Sequence, residues 1–273
     1  MVNDSDLKAT VRRAYGRIAL DAAPSCSSAG CGPDDVSTRI GYSQAELESL
    51  PEGANLGLGC GNPLALASLR EGDVVLDLGS GAGIDCFLAA RAVGSSGRVI
   101  GVDIAPEMLD RATANAASGG YANVEFRLGE LESLPVDDDS VDLVISNCVI
   151  NLVPDRTQVY REALRVLRPG GRVSVSDTIQ TLPLPAALLD TEVAKAACIS
   201  AAVTKEAYLA SLTDAGFVEV RIESETPYPS DIGFEERLIE GLRDEQGIPE
   251  EAVRAAARSL VSIMVTAVKP IPA

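Results

Sequence analysis

The run Val74-Val75-Leu76-Asp77-Leu78-Gly79-Ser80-Gly81-Ala82-Gly83 constrains the fold of this chain more than any other segment. Its first five residues are mainly apolar and suit a buried strand, and three glycines at alternate positions then permit a tight turn into a helix. The same alternation continues. A helix is expected at Ile84–Val93, a strand at 98–102, a helix at 106–117, and strands at Val124–Leu128 and 141–146. A helix at 155–167 then leads through Arg168-Pro169-Gly170-Gly171 into a strand at 172–176. Strands and helices alternating over short connections imply an α/β fold with a doubly wound, mostly parallel, Rossmann-like sheet. Beyond Asp177 the pattern loosens into helices at 186–200 and Lys205–Ala215, the latter closed by Gly216. Strands at 218–223 and 262–268 bring the count to seven, and the last is expected to insert antiparallel.

The flanking segments are of other kinds. Residues 6–20 have the spacing of an amphipathic helix, and Ser43 suits the cap of a helix that begins at Gln44. Two Gly/Ser-rich loops carry Cys26 and Cys31, and then Cys60, while 228–247 is polar and acidic, as in a lid or insertion. The implied organisation is an N-terminal region (1–71) of helices and cysteine-bearing loops, a nucleotide-binding domain (72–180), and a capping region (181–273) that completes the sheet.

Charge and composition narrow the chemistry. With 40 acidic and 23 basic side chains the net charge is −17, which excludes nucleic acid and anionic membranes as natural partners. No apolar run reaches membrane-spanning length and the first residues lack a secretory h-region, so a cytoplasmic protein with reduced thiols is expected. There is no histidine, so neither an imidazole base nor an imidazole ligand is available.

A dinucleotide fingerprint would place its last small residue where Ile84 stands. Here Asp77 opens the turn and the glycines fall at 79, 81 and 83, a spacing that lets the backbone approach the methionine part of S-adenosylmethionine (SAM). Asp103, ending the second strand, suits the ribose hydroxyls. Glu130 suits the adenine amino group, and Ile104 and Met108 its ring faces. Gly79, Ser80, Gly81, Gly83, Leu131 and Asn147 complete the expected cofactor set. Residues 72–176, with Arg165-Val166-Leu167-Arg168-Pro169-Gly170-Gly171, resemble class I SAM-dependent methyltransferases.

Of the six cysteines, Cys86 has apolar helical neighbours and reads as a packing residue. Cys26 and Cys31 could form one ligand pair, but no second close pair exists to complete a structural zinc site. Cys60, Cys148 and Cys198 are far apart in sequence, yet all could meet over the carboxyl edge of the sheet, where three thiolates would suit a soft, trigonal centre.

The segments Glu52-Gly53-Ala54-Asn55-Leu56-Gly57-Leu58-Gly59-Cys60-Gly61-Asn62-Pro63 and Ser146-Asn147-Cys148-Val149-Ile150-Asn151-Leu152 resemble those of bacterial arsenite methyltransferases. So do Tyr15-Gly16-Arg17-Ile18-Ala19 and Tyr42-Ser43, and the resemblance extends over 11–217. It implies methyl transfer from SAM to arsenite or methylarsenite, as arsenic detoxification, with trivalent arsenic on Cys148 and Cys198. It further implies redox exchange between Cys60 and Cys26 or Cys31, and a thiol reductant, glutathione or thioredoxin, as co-substrate. A monomer is expected. This chain departs from the family at Cys198-Ile199-Ser200-Ala201-Ala202, where a glycine-containing stretch is usual. The competing readings are a C- or O-methyltransferase acting on a quinone or small metabolite, and a non-catalytic metalloid-binding protein.

Overall fold

A computed structural model describes residues 4–20, 32–65, 67–184, 201–227 and 249–272. It contains a seven-stranded sheet in the order β3-β2-β1-β4-β5-β7-β6. The strands are β1 (Val74–Leu78), β2 (Arg98–Asp103), β3 (Val124–Leu128), β4 (Val141–Asn147), β5 (Leu167–Gln180), β6 (Val218–Pro227) and β7 (Leu260–Val268). The first five run parallel, and β7 lies antiparallel between β5 and β6. The helices are α1 (Asp4–Leu20), α2 (Pro33–Arg39), α3 (Gln44–Glu48), α4 (Ile84–Val93), α5 (Pro106–Gly119), α6 (Arg156–Val166), α7 (Lys205–Ala215) and α8 (Glu250–Arg258). The seven strands and the antiparallel last strand are as expected from the sequence. The helix expected at 186–200 and the acidic segment at 228–247 lie outside the described residues.

The inner strands β1, β2 and β4 are mainly apolar on both sides because both sides are covered. The edge strands β3 and β6 instead alternate with charged residues. Val75, Val99, Leu143 and Ile145 pack against Cys86, Ala89, Ala90 and Val93 of α4. Leu76, Leu78, Ile100 and Val102 point the other way, into a core shared with Tyr160 and Val166 of α6 and Tyr208 and Leu212 of α7. Each such side chain contributes about 1.5–3 kcal/mol by leaving water. Asp77 is in phase with Val75, so it falls on the α4 side as β1 ends.

Four elements differ from the sequence reading, and one of them, β6, runs on to Pro227 along β7 instead of ending at 223. β5 begins before Arg172 because the Pro169-Gly170-Gly171 stretch stays extended, with Gly170 N–H donating to Lys269 O and Lys269 N–H to Gly171 O. It also continues past Ser176, because antiparallel β7 pairs with it through Gln180 while its parallel neighbour β4 ends at Asn147. Neither α2 nor α8 is expected from periodicity. α2 starts on Pro33, and Gly32 N–H donates to the Asp35 carboxylate at 3.0 Å. The expected Ser43 cap is present, with its side chain accepting from Glu46 N–H while the Glu46 carboxylate accepts from Ser43 N–H.

β2 and β3 lie to one side of β1, and β4 and β5 to the other. Chain direction therefore diverges above the carboxyl ends of β1 and β4, the place where open α/β sheets leave a crevice. α1 lies across α5, where the Arg111 guanidinium donates to Ala19 O at 2.9 Å. Among the described residues, no helix is long and apolar enough to cross a membrane.

Candidate active site

A cleft with an empty volume of about 1110 Å3, including its open mouth, lies over this divergence. Its floor is the Gly79–Ala82 stretch of the glycine turn. Gly79 N–H and Ser80 N–H both donate to Val102 O, which pins the turn to β2. Gly79 has φ +70, and a Cβ there would stand 2.6 Å from Val149, so only glycine fits. Asp103 accepts from Gly81 N–H at 2.9 Å and from Ala105 N–H at 2.8 Å, which fastens the turn to the end of β2. Burial raises the Asp103 pKa, partly offset by those backbone donors.

Two further carboxylates lie under the turn. Asp77 is 3% exposed and accepts the Cys86 thiol proton at 3.2 Å. Burial, then the charge of Asp85, holds its pKa well above the usual carboxylate range. Cys86 is thus a core residue with a polar partner, and burial raises its own thiol. Asp85, in the first turn of α4, accepts from Tyr42 Oη at 2.7 Å and from Asn147 Nδ2 at 3.2 Å. Burial pushes it up to about 6, with the two hydrogen bonds acting against that shift.

Asn147 joins the two halves of the site. Its Nδ2 also lies 2.8 Å from Gly61 O and 2.9 Å from Tyr42 Oη, and its Oδ1 accepts from Cys60 N–H at 3.0 Å. A Cβ on Gly59 would stand 2.7 Å from that amide, so the Gly59–Gly61 loop sits directly on Asn147. The first turn of α4, through Asp85, and the Cys60 loop are therefore bolted to one side chain at the end of β4.

Cys148 follows at once, with φ +59 and its N–H donating to Ser176 O at 2.8 Å. It lines the cleft, while Cys60 is buried just behind. Both pack with Val11 of α1 and with Leu152 in the 3-10 turn Ile150–Leu152. The two sulfurs and a carboxylate oxygen of Asp177 all lie within 4.8 Å of one another. Ser176 Oγ is 3.8 Å from Cys60 Sγ, and Thr178 Oγ1 is 3.9 Å from Cys148 Sγ. Burial, then Cys148, raises the Cys60 thiol well above its ordinary value.

Asp177 is wholly buried yet fully partnered. Oδ1 accepts from Asn151 Nδ2 and Thr178 N–H, both at 2.8 Å, and Oδ2 from Tyr208 Oη at 3.1 Å. Tyr160 Oη donates to Tyr208 Oη at 2.9 Å. Burial lifts Asp177 to about 6 against those donors.

Of the residues expected from the sequence to hold the cofactor, Asp77, Gly79, Ser80, Gly81, Asp103, Ile104, Glu130, Leu131 and Asn147 line the cleft. Gly83 does not; it caps α4, where a Cβ would strike Phe87 at 2.7 Å. Met108 does not either. It is fully buried against Ala19 and Ala105 beneath α1, because α5 turns that face inward. Glu130 is ion-paired with Lys8 of α1 at 2.6 Å, and the same ammonium reaches Glu132 at 2.9 Å. Cys60 and Cys148 come together, while Cys198, Cys26 and Cys31 lie outside the described residues. Asp177, Asp85 and Tyr42 have no role in the sequence reading. The available signal for Asp177 is an acid amid the small polar run Ser174-Val175-Ser176-Asp177-Thr178 at a strand's carboxyl end.

The cleft suits a cationic sulfonium compound. Acidic side chains surround it, and the Ser80 hydroxyl is buried at its floor with no hydrogen-bond partner. Ser80 and the glycine turn would hold the amino-acid end of such a molecule, and Asp103 its ribose.

Comparison with known proteins agrees with this geometry. Residues 69–216 match the family described as "Methyltransferase domain". The chain is 45% identical over 260 residues to the arsenite methyltransferase of Halobacterium salinarum, covering 89% of this chain and 66% of that protein. It is 37% identical over 226 residues to the arsenite methyltransferase of Aquipseudomonas alcaligenes, covering 80% and 64%. It thus spans just under two thirds of the length of each of these relatives. Among solved structures, the arsenic(III) S-adenosylmethionine methyltransferase of Chlamydomonas reinhardtii superposes with a TM-score of 0.61 at 30% identity, covering 87% of this chain and 74% of that one.

Proposed function

The chain belongs to the arsenite methyltransferases of the class I methyltransferase superfamily, and from that membership we propose that it methylates trivalent arsenic held on cysteine sulfur. The observation that carries this reading is the pair of buried thiols, Cys60 and Cys148, meeting at the wall of a SAM-type cleft in a chain without histidine. A carbon or oxygen acceptor would call for a base beside the methyl donor and would give no use to paired thiols.

Arsenite exchanges hydroxide for thiolate: each As–S bond that forms releases one water, which carries off the thiol proton. Cys148 is the ligand open to the cleft, and the family resemblance adds Cys198, with Cys60 or an external thiol as third ligand. Bound SAM supplies an electrophilic methyl group on a cationic sulfur, so the leaving group departs neutral and needs no acid. The arsenic lone pair forms the As–C bond as the C–S bond breaks, and that electron pair stays on the departing sulfur. Asp77, Asp85 and Asp103 favour the cationic donor, and the rigid turn and the Asn147 amide set its approach to the thiols. Proximity and orientation then provide most of the acceleration. Arsenic is formally oxidised from III to V. Two thiols, Cys60 with Cys26 or Cys31, return two electrons by forming a disulfide, and glutathione or thioredoxin reduces that disulfide. The protein acts as a cytoplasmic monomer.

Incubation with SAM, arsenite and a thiol separates the readings. One S-adenosylhomocysteine is expected for each methyl group found on arsenic. Arsenite binding without turnover would mean a metalloid-binding protein, and turnover of a quinone but not of arsenite would mean a carbon or oxygen methyltransferase.

A further inference from the structure

We propose that Cys60, Cys148 and Asp177 together form a binding site for a thiophilic d10 dication, such as Zn2+ or Cd2+, which competes with the acceptor for the two sulfurs. The proposal rests on these three side chains and not on the arsenite reading. Only the competition depends on that reading.

Two thiols alone would suit an arsenic acceptor, but the third donor of the cluster is a carboxylate, and all three donor atoms lie within 4.8 Å of one another. In a tetrahedral centre with metal–sulfur bonds of about 2.3 Å and metal–oxygen bonds of about 2.0–2.2 Å, the donors stand roughly 3.5–3.8 Å apart. A contraction of about an ångström therefore closes the set. The charge also balances. The empty pocket holds two thiols and one carboxylate, and on binding two thiolates and that carboxylate around a dication leave the same single negative charge.

The carboxylate is also aimed. Asn151, Thr178 N–H and Tyr208 Oη fix both of its oxygens, and Arg156 Nε in turn holds the Asn151 amide oxygen at 3.0 Å. Metal-binding carboxylates are oriented by such outer partners. Cys148 opens to the cleft, which gives an entry path and leaves a fourth position for water. Binding displaces two thiol protons to the buffer: M2+ + 2 RSH + RCOO− gives M(SR)2(OOCR)− + 2 H+.

The test uses the full-length reduced chain carrying Cys26→Ser, Cys31→Ser and Cys198→Ser, titrated with Cd2+ without SAM or arsenite. Ultraviolet thiolate-to-cadmium charge transfer is expected to saturate at one equivalent, and Cys60→Ser or Cys148→Ser in the same background is expected to weaken it strongly. Asp177→Asn removes the charged oxygen and is expected to raise the dissociation constant more than tenfold, with Asp177→Glu restoring part of the loss. Tyr208→Phe leaves the ligand in place but frees one of its oxygens, and is expected to cost about tenfold. No saturating band at one equivalent, or cadmium affinity unchanged in both Asp177→Asn and Tyr208→Phe, would overturn the proposal. In a chain that keeps Cys198 and carries only Cys26→Ser and Cys31→Ser, cadmium binding that arsenite fails to displace would leave this site standing and count against arsenite as the acceptor. Arsenite methylation by a chain that does not bind cadmium would do the reverse.

Discussion

Cys148 holds a left-handed backbone, φ +59, that costs a residue with a side chain roughly 1–2 kcal/mol. Strain of this kind persists where the surrounding structure enforces it, and here it turns a thiol into the cleft. Asn147, immediately before it, ties the Cys60 loop to Asp85 and Tyr42. Truncating it to Ala leaves the Cys60 N–H and the Asp85 carboxylate each short of a partner. Steady-state kinetics on Asn147→Ala should show kcat reduced at least tenfold, with a smaller change in the KM for SAM. A change confined to the SAM KM would mean that the amide serves the cofactor instead. Asp85, at about 6, gives a pH signature. Its charge, which favours a cationic donor, is present above pH 6 and is lost as the pH falls through that value. Equilibrium binding of SAM should therefore weaken from pH 7 to pH 5 in the wild type, and Asp85→Asn should flatten that interval. These residues show why the site was only partly legible in sequence. Gly79, Gly81 and Asp103 fall in a local motif, whereas Asp177, Asp85 and Tyr42 gain roles only from chain pairings that periodicity does not encode.

α1 is the element on which the thiol pocket closes, through Val11 against Cys60 and Cys148 and through Lys8 against Glu130 and Glu132. Its seat on α5 is close at Gly16, where a Cβ would stand 2.9 Å from the Glu107 carboxylate and would push that side chain aside. Gly16→Val, with its two further methyl groups, should displace Glu107 and loosen the α1–α5 contact, cost about 1–3 kcal/mol in thermal or denaturant unfolding, and raise the KM for arsenite. An unchanged KM with lowered stability would mean that α1 is scaffolding only. Among the strands, β1, β2 and β4 were legible because each is a short, mainly apolar run, and β3 because Val124, Phe126 and Leu128 alternate with Glu125 and Arg127. The length of β5 was not, since its polar end from Ser174 to Gln180 is held by antiparallel β7, a partner some 90 residues further along the chain. Met108 shows the same limit in a helix. Its spacing from Asp103 suits an adenine-facing residue, but α1 covers that face of α5.

At the scale of the whole molecule, a net charge of −17 makes self-repulsion a standing cost to the folded state. Screening should relieve it, so the Tm should rise as NaCl is raised from low salt to about 0.5 M, where the Debye length is a few ångströms. A Tm that falls with salt would show that exposed pairs such as Arg98–Glu125 outweigh the repulsion. The buried acids add a pH term of known sign. Asp85 and Asp177 bind protons more tightly folded than unfolded, so their contribution to stability declines as pH rises from about 4 to about 6 and is level above. The fold accepts that cost where sheet, cleft and thiols converge, and the central claim is that this convergence transfers a methyl group to sulfur-bound arsenic. The most direct test is a single turnover with methyl-labelled SAM and arsenite, comparing the wild type with Cys148→Ser. The wild type should move label onto arsenic. Cys148→Ser should bind SAM within about twofold of wild type yet lose at least two orders of magnitude in rate. Full methylation of arsenic by Cys148→Ser would contradict the account.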